Sequence, residues 1–260
     1  MRYFISSNED ALSVNIKRKI HDVLSNHEGF TLDGKNPELI ISIGGDGRFL
    51  KTINHYVLNS NSFAIVGIST GKLGFLCDYQ AENIDLFLED IINHTPRYDQ
   101  RKLIEVTFKN KEYLFLNEFR LEKIFDTLNC QVYLNEHLFL EFKGNGLNFS
   151  TSTGSTAYNR SLNGPIINPH YNIIIMNEIA PLNNSLFSSL NSPLILTDKD
   201  LVSLKGNFDN VVFGGDTFHQ VLNCEREEIS IKLSDKKITF AHFREYSFYD
   251  KVKKSFLDRR

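Results

Sequence analysis

Cysteine is scarce and scattered in this sequence. Cys77, Cys130 and Cys224 lie far apart, with no CxxC spacing and no Cys/His cluster. That excludes a disulfide framework and a thiolate zinc site, and it reads as reduced core thiols in a cytosolic protein. Charge of one sign is lacking too. A formal net charge of −3 leaves no field to draw nucleic acid or an anionic membrane surface. Long apolar runs are missing: the longest uncharged stretches, such as Ile179 to Thr197, are broken by Asn, Ser and Pro and do not read as transmembrane helices. Met1-Arg2-Tyr3-Phe4-Ile5 enters a strand-like start with no charged leader, apolar core or cleavage site before it, so a cytoplasmic location is expected. No internal repeat or low-complexity segment is present. What is there is 260 residues of ordinary folded composition, enough for one large domain or two modest ones.

The two halves follow different patterns. Tyr3 to Ser6 reads as a strand and Asn8 to Asn26 as a helix, with Leu12, Ile16, Ile20 and Leu24 on one face and Ser7 or Asn8 able to cap. Leu39 to Ile43 is a nearly continuous apolar run, the signature of a strand covered on both faces. Arg48 to Leu58 reads as a helix, Phe63 to Ile68 as a strand, Ser69 to Gly74 as a loop and Glu82 to Asn93 as a helix. This βαβαβα order implies a parallel sheet with right-handed crossovers. After Pro96 come short alternating runs: Leu103 to Phe108, Tyr113 to Leu116, Gln131 to Leu134, Leu138 to Phe142, Ile173 to Met176, Leu201 to Leu204, Val211 to Phe213, Ile229 to Leu233 and Ile238 to Phe240. They argue for a second, β-sandwich-like domain. Tyr249 to Leu257 reads as a terminal helix returning to the first domain.

Four segments carry chemistry. Gly44-Gly45-Asp46-Gly47 follows a buried strand and opens a helix, so its backbone N–H groups can approach a phosphate beside a positive helix end. An acidic side chain weakens such a turn for anion binding alone, but suits it to accept a proton from an attacking hydroxyl or to help hold magnesium. The same four residues also describe a tight Asx turn. Gly67-Ile68-Ser69-Thr70-Gly71-Lys72 approaches a Walker A loop, but it is one residue short, and Leu73 stands where Ser or Thr must hold magnesium. Asn117-Glu118 pairs an amide, which can read a base edge, with a carboxylate, which can accept from ribose hydroxyls; taken alone, the dipeptide is more often a solvated strand end. Gly144-Asn145-Gly146-Leu147 followed by Ser150 to Ser161 reads as a hydroxyl-dense loop, better suited to a packed site than to a linker because Tyr158 and Leu162 lie within and beside it.

Taken together and in this order, these segments resemble the NAD kinase family. The resemblance runs through Gly44 to Gly47, Gly71 to Phe75, Asn117-Glu118, and Ser150 to Ser161 with Gly164-Pro165. It continues through Glu178-Ile179-Ala180, Asn183-Asn184, Ser192-Pro193-Leu194 and the Phe240 to Phe243 stretch. It implies an enzyme that phosphorylates the adenosine-ribose 2′-hydroxyl of NAD with ATP or another phosphoryl donor, using a divalent ion such as Mg²⁺ bound with the triphosphate. It implies α/β plus β architecture: residues 1–97 an α/β domain with the phosphate turn, 98–245 a β-rich NAD-binding domain, and 246–260 a segment packing on the first. The site is expected between the two domains, and the assembly is expected to be a homodimer or homotetramer. Asp46 would be the catalytic carboxylate, with Gly45 and Gly47 shaping the phosphate loop. Phe75, Asn117 and Glu118 would hold the adenosine half. Thr153, Thr156, Ala157, Tyr158, Asn159, Arg160 and Ser161 would line the dinucleotide pocket, with Ala180 nearby and Lys143 and Asn145 among the contacts. No residue is assigned as a dedicated metal ligand.

Three positions depart from the family pattern: Arg48 where Thr is usual, Asn145 where Asp is usual, and Lys143 where Arg is common. Losing a charge-assisted acceptor at Asn145 would cost about 1.5–3 kcal/mol if that bond were not replaced, which bears on NAD versus NADH preference. Two other readings stand beside this one. A lipid kinase shares the glycine turn but leaves Asn117-Glu118 and the Tyr158 loop unexplained. A nucleotide sensor that transfers nothing would be favoured by Arg48 and Asn145, and is opposed by the intact Asp46.

Overall fold

The computed structural model describes residues 1–57, 63–72, 74–185, 187–245 and 247–258. The chain divides into two compact units, Met1–Gln100 with Ile238–Arg260, and Arg101–Lys237.

The first unit is built on parallel strands, as the alternation of elements implies. Thr31–Leu32 pairs with Arg2–Ser7, then Leu39–Gly44, then Ala64–Ser69. Thr239 and Phe240, from the far end of the chain, add alongside Ala64 and Ile65 in the same direction. Leu39–Gly44 and Ala64–Ser69 are buried along their whole length, which is why they read as unbroken apolar runs. Helices Ala11–Ser25, Asp46–Tyr56 and Ile84–Asn93 complete the unit. Its core joins Ile16, Ile20 and Leu24 to Ile5, Ile41, Ile43, Val66, Ile68 and Phe87.

Local details differ from expectation. The cap of the first helix is Asp10, not Ser7 or Asn8: its carboxylate accepts from the Ser13 N–H at 2.9 Å and the Ser13 hydroxyl at 2.7 Å. Ser7 is still strand, and Leu12 lies on the exposed side while Ser13 is buried. The second helix starts at Asp46, two residues early, because the glycine turn itself supplies the cap at Gly45. The proposed last residue of that helix, Leu58, and Leu73 of the following loop lie outside the described residues. The terminal helix is Phe248–Val252, capped by Ser247 and followed by the π-helical turn Lys253–Leu257.

The second unit is antiparallel. Its longest element within the unit, His137–Thr151, pairs with Leu128–Leu134 through its first half. Through its second half it pairs with both Glu118–Glu122 and Ile173–Pro181. Glu118–Glu122 pairs with Val211–Gly215, which pairs with Phe218–Leu222. Gly144-Asn145-Gly146, read as part of a loop, is therefore strand. Turn-like composition misleads here because the glycines answer a packing need: a Cβ on Gly146 would meet the Leu121 carbonyl oxygen at 2.4 Å. Ile229 to Leu233 and Ile238 to Phe240 belong to one strand, Glu227–His242, whose polar middle is held by a 3.0 Å bond from the Ser234 hydroxyl to Glu105. The sequence pattern does not reveal strands Glu118–Glu122, Leu194–Thr197 and Phe218–Leu222, since short runs interrupted by charged or polar residues or flanked by proline give a weak alternation signal.

Phe213 is central to this unit's core, with ring centroids 4.8 Å from Phe119, 4.9 Å from Tyr113 and 5.7 Å from Phe108. It is fully buried. Phe213→Ala is expected to destabilise the fold by about 3–5 kcal/mol, read from urea unfolding; a loss below about 1 kcal/mol would show that this cluster does not anchor the unit.

Candidate active site

In the first unit, Asp46 is the first residue of its helix, where the N-terminal partial positive charge favours a carboxylate. One carboxylate oxygen accepts from the Phe75 N–H at 2.9 Å, the other from the Leu76 N–H at 3.2 Å. The loop closes so tightly that a Cβ on Gly74 would lie 2.2 Å from the carboxylate. Asp46 is thus fixed in direction yet half-buried rather than sealed, and a carboxylate with two such bonds keeps further lone pairs free. Gly45 and Gly47 sit on either side of it. The Phe75 ring packs on Phe256 at 5.2 Å and Phe248 at 6.5 Å. Arg48 donates through Nε to the Asn8 side-chain oxygen at 2.8 Å, which tethers the unexpected cation at the end of strand Arg2–Ser7. Burial, and then the nearby Asp46 charge, push the Cys77 thiol far up, so it stays an inert core thiol.

In the second unit, Asn117 and Glu118 are pinned from two sides. The half-buried Asp216 carboxylate accepts from the N–H groups of Leu116 at 2.7 Å, Asn117 at 2.8 Å and Glu118 at 3.4 Å. The Thr151 N–H donates to the Asn117 carbonyl at 2.9 Å, its hydroxyl donates to the Leu116 carbonyl at 2.6 Å, and that hydroxyl accepts from the Gly154 N–H at 3.0 Å. The Glu118 side chain is buried, and its Oε2 has no hydrogen-bond partner among the described residues. Asn117, Glu118 and the Thr153–Thr156 turn are therefore one assembly, joined through Thr151. Arg120 lies against the Tyr158 ring, 4.4 Å from its centroid, and holds Glu122 at 2.9 Å; a guanidinium on one face leaves the ring planar and braced for stacking on the other.

Burial, reinforced by the Asp216 charge, pushes the Glu118 carboxyl up to about 8. It therefore holds its proton at neutral pH and can donate as well as accept. Burial pushes Asp216 up to about 6, against the opposing pull of its three N–H partners.

The remaining expected residues fall elsewhere in the unit or are otherwise engaged. Asn159 is buried, its amide nitrogen donating to the Ser155 carbonyl at 2.9 Å and the Pro165 carbonyl at 3.0 Å, so it closes the turn. Thr156 and Ala157 are half-buried beside Tyr158, with Arg160 and Ser161 exposed beyond it. Lys143 and Asn145 on strand His137–Thr151, with Ala180 on the paired strand Ile173–Pro181, form a separate group. Asn145 is five residues from the Glu118 partner Ser150, hence about 17 Å away at a rise of ~3.4 Å per residue. The Asn145 amide donates to the Lys123 carbonyl at 3.1 Å and the Asp126 carbonyl at 3.4 Å. A carboxylate could make neither bond, which gives this departure from the family pattern a local structural reason. Lys143 stands over the Phe187 ring at 4.6 Å, and Ala180 adopts φ 42°, a left-handed conformation unusual for alanine.

Residues 9–96 match the family model described as the ATP-NAD kinase N-terminal domain, and residues 117–243 match that of the ATP-NAD kinase C-terminal domain. The chain belongs to the NAD kinase family. It is 35% identical to an NAD kinase of Limosilactobacillus reuteri, covering 99% of this chain and 98% of that one. It is 34% identical to NAD kinase 1 of Bacillus subtilis, covering 100% and 99%. Two solved structures share the fold: an NAD kinase from Archaeoglobus fulgidus in complex with ATP (TM-score 0.77, 20% identity, 97% of this chain and 99% of that chain), and yeast NADH kinase complexed with NADH (TM-score 0.78, 17% identity, 99% and 87%).

Among the described residues of this NAD kinase family member, no group of three or more His, Cys, Asp or Glu side chains could hold a metal ion. Also among the described residues, no helix is long and apolar enough to cross a membrane. Asp216 was missed from sequence, although Gly214-Gly215-Asp216 repeats the Gly-Gly-Asp of the first turn.

A carboxyl that binds its proton more tightly when folded than when unfolded stabilises the fold fully below its unfolded pKa, and loses that contribution as pH rises through the folded value. For Glu118 the loss runs up through about pH 8, and for Asp216 through about pH 6. Glu118→Gln mimics the neutral form, so its urea midpoint is expected to decline less than that of the parent protein between about pH 6 and about pH 8. An identical decline would remove Glu118 as the titrating group.

Proposed function

We infer that this chain transfers the γ-phosphoryl group of ATP to the adenosine-ribose 2′-hydroxyl of NAD, giving NADP. The observation that carries this reading is the match of both halves of the chain to ATP-NAD kinase domains, with Asp46 fixed at a helix start in the first of them.

Phosphoryl transfer depends on positioning and charge neutralisation more than on covalent chemistry. In our reading Asp46 accepts the proton of the 2′-hydroxyl as that oxygen attacks the γ-phosphorus. Gly45 and Gly47 keep side chains away from the phosphates, and the helix start favours their charge. Asn117 holds the adenosine half through its amide, and Glu118, protonated before the nucleotide arrives, donates to or accepts from a ribose hydroxyl. Phe75, Thr153, Thr156, Ala157, Tyr158, Arg160 and Ser161 line the nucleotide's path, with Tyr158 braced by Arg120 as a stacking surface. Lys143 and Asn145, with Ala180 on the paired strand, contribute further along strand His137–Thr151. A divalent ion, Mg²⁺ in this reading, would be held by the triphosphate and would neutralise phosphate charge. We further propose a cytoplasmic enzyme that assembles as a homodimer or homotetramer. Residues 1–97, 98–245 and 246–260 serve in it as phosphate-handling domain, NAD-binding domain and returning segment.

Asp46→Asn is expected to lower turnover in NADP formation by roughly 10²–10⁴-fold, while calorimetry still finds NAD bound with parental affinity. Near-parental turnover would remove Asp46 as the proton acceptor.

A further inference from the structure

The Asp46 carboxylate does not choose its own direction; the Phe75 and Leu76 N–H groups choose it. What holds the Phe75–Leu76 peptide comes from the other end of the chain. Lys251, on helix Phe248–Val252, donates through Nζ to the Phe75 carbonyl at 3.2 Å, the Cys77 carbonyl at 2.6 Å and Asp78 Oδ1 at 3.0 Å. An ammonium has three donors, and Lys251 makes three hydrogen bonds to this one four-residue loop. The Phe75 carbonyl and the Leu76 N–H belong to a single planar peptide. Lys251 therefore grips one end of that rigid unit while Asp46 takes the other, and a cation on the carbonyl also makes the N–H a better donor. The second Asp78 oxygen is held by His242 Nδ1. Phe248 and Phe256 clasp the Phe75 ring from the same terminal segment. The Lys251 side chain is only 11% exposed, so water is poorly placed to replace it.

We propose that Lys251 is a positioning residue for phosphoryl transfer, acting through the Phe75–Leu76 peptide on the orientation of the Asp46 carboxylate. The proposal rests on the reading of Asp46 as proton acceptor. A small misplacement of a reacting group is enough to matter, since an error of about 1 Å can cost on the order of 10²-fold in rate.

The test is steady-state NADP formation by the full chain carrying Lys251→Met or Lys251→Arg, each alone and combined with Asp46→Asn. Lys251→Met is expected to lower kcat by at least about tenfold with the KM for NAD unchanged, Lys251→Arg to restore most of the loss, and Lys251→Met to cost nothing further once Asp46 is Asn. A parental kcat in Lys251→Met would overturn the proposal, as would an effect confined to KM. So would an equal fold-loss in the Asp46→Asn background, which would mean that Lys251 acts independently of Asp46. If circular dichroism shows Lys251→Met unfolded, Lys251→Gln, which keeps two donors, takes its place in the same comparison. A parent protein that forms no NADP overturns the kinase reading itself; an active parent with an indifferent Lys251 overturns only this proposal.

Discussion

A carboxylate that receives the N–H groups of a turn appears in each unit, and the rest of the site machinery is arranged around these two contacts. In the first unit Asp46 takes the N–H groups of Phe75 and Leu76; in the second Asp216 takes those of Leu116, Asn117 and Glu118. Bonds of this charge-assisted kind contribute about 1.5–3 kcal/mol each, enough to hold a loop that propensity alone would leave loose. The two carboxylates are used differently. Asp46, with two backbone partners, keeps acceptor capacity for chemistry, whereas Asp216, with three, serves as a fixed post for the Asn117-Glu118 pair.

The contacts around each carboxylate have a directional logic. In the first unit the terminal segment supplies Lys251, His242, Phe248 and Phe256 to the loop that orients Asp46, so distant parts of the sequence determine the direction of one side chain. In the second unit the Asp216 charge is what helps keep the Glu118 carboxyl protonated. Asp216 thus bears on both the positioning and the protonation state of Glu118, and changing it would alter both together.

Much of this was legible in the sequence where the signal is local. The buried runs Leu39–Gly44 and Ala64–Ser69 and the Gly-Gly-Asp-Gly turn declare themselves because each is fixed by its own neighbours. The family resemblance added the Asn117-Glu118 pair and the Thr153 to Ser161 segment, which composition alone would leave open between a site and a solvated turn. What escaped depends on contacts remote in sequence. Asp216 looks like any turn aspartate until its partners about a hundred residues away are seen, and Lys251 looks like any helix lysine. Gly144-Asn145-Gly146 was read as a loop because glycine answers equally to a turn and to a crowded strand crossing; only the Leu121 carbonyl next to Gly146 separates the two. Asn145 shows the same limit at one residue. Its departure from the family pattern suggested altered nucleotide contacts, whereas its amide closes the backbone around Lys123 and Asp126.

The central claim is phosphoryl transfer to one particular hydroxyl. The most direct measurement is a phosphorus NMR time course of the full chain with NAD, ATP and Mg²⁺. The account predicts a new phosphomonoester signal coupled to the 2′-position of the adenosine ribose, growing in step with ADP. ADP accompanied only by inorganic phosphate, or a monoester at any other position, would contradict it.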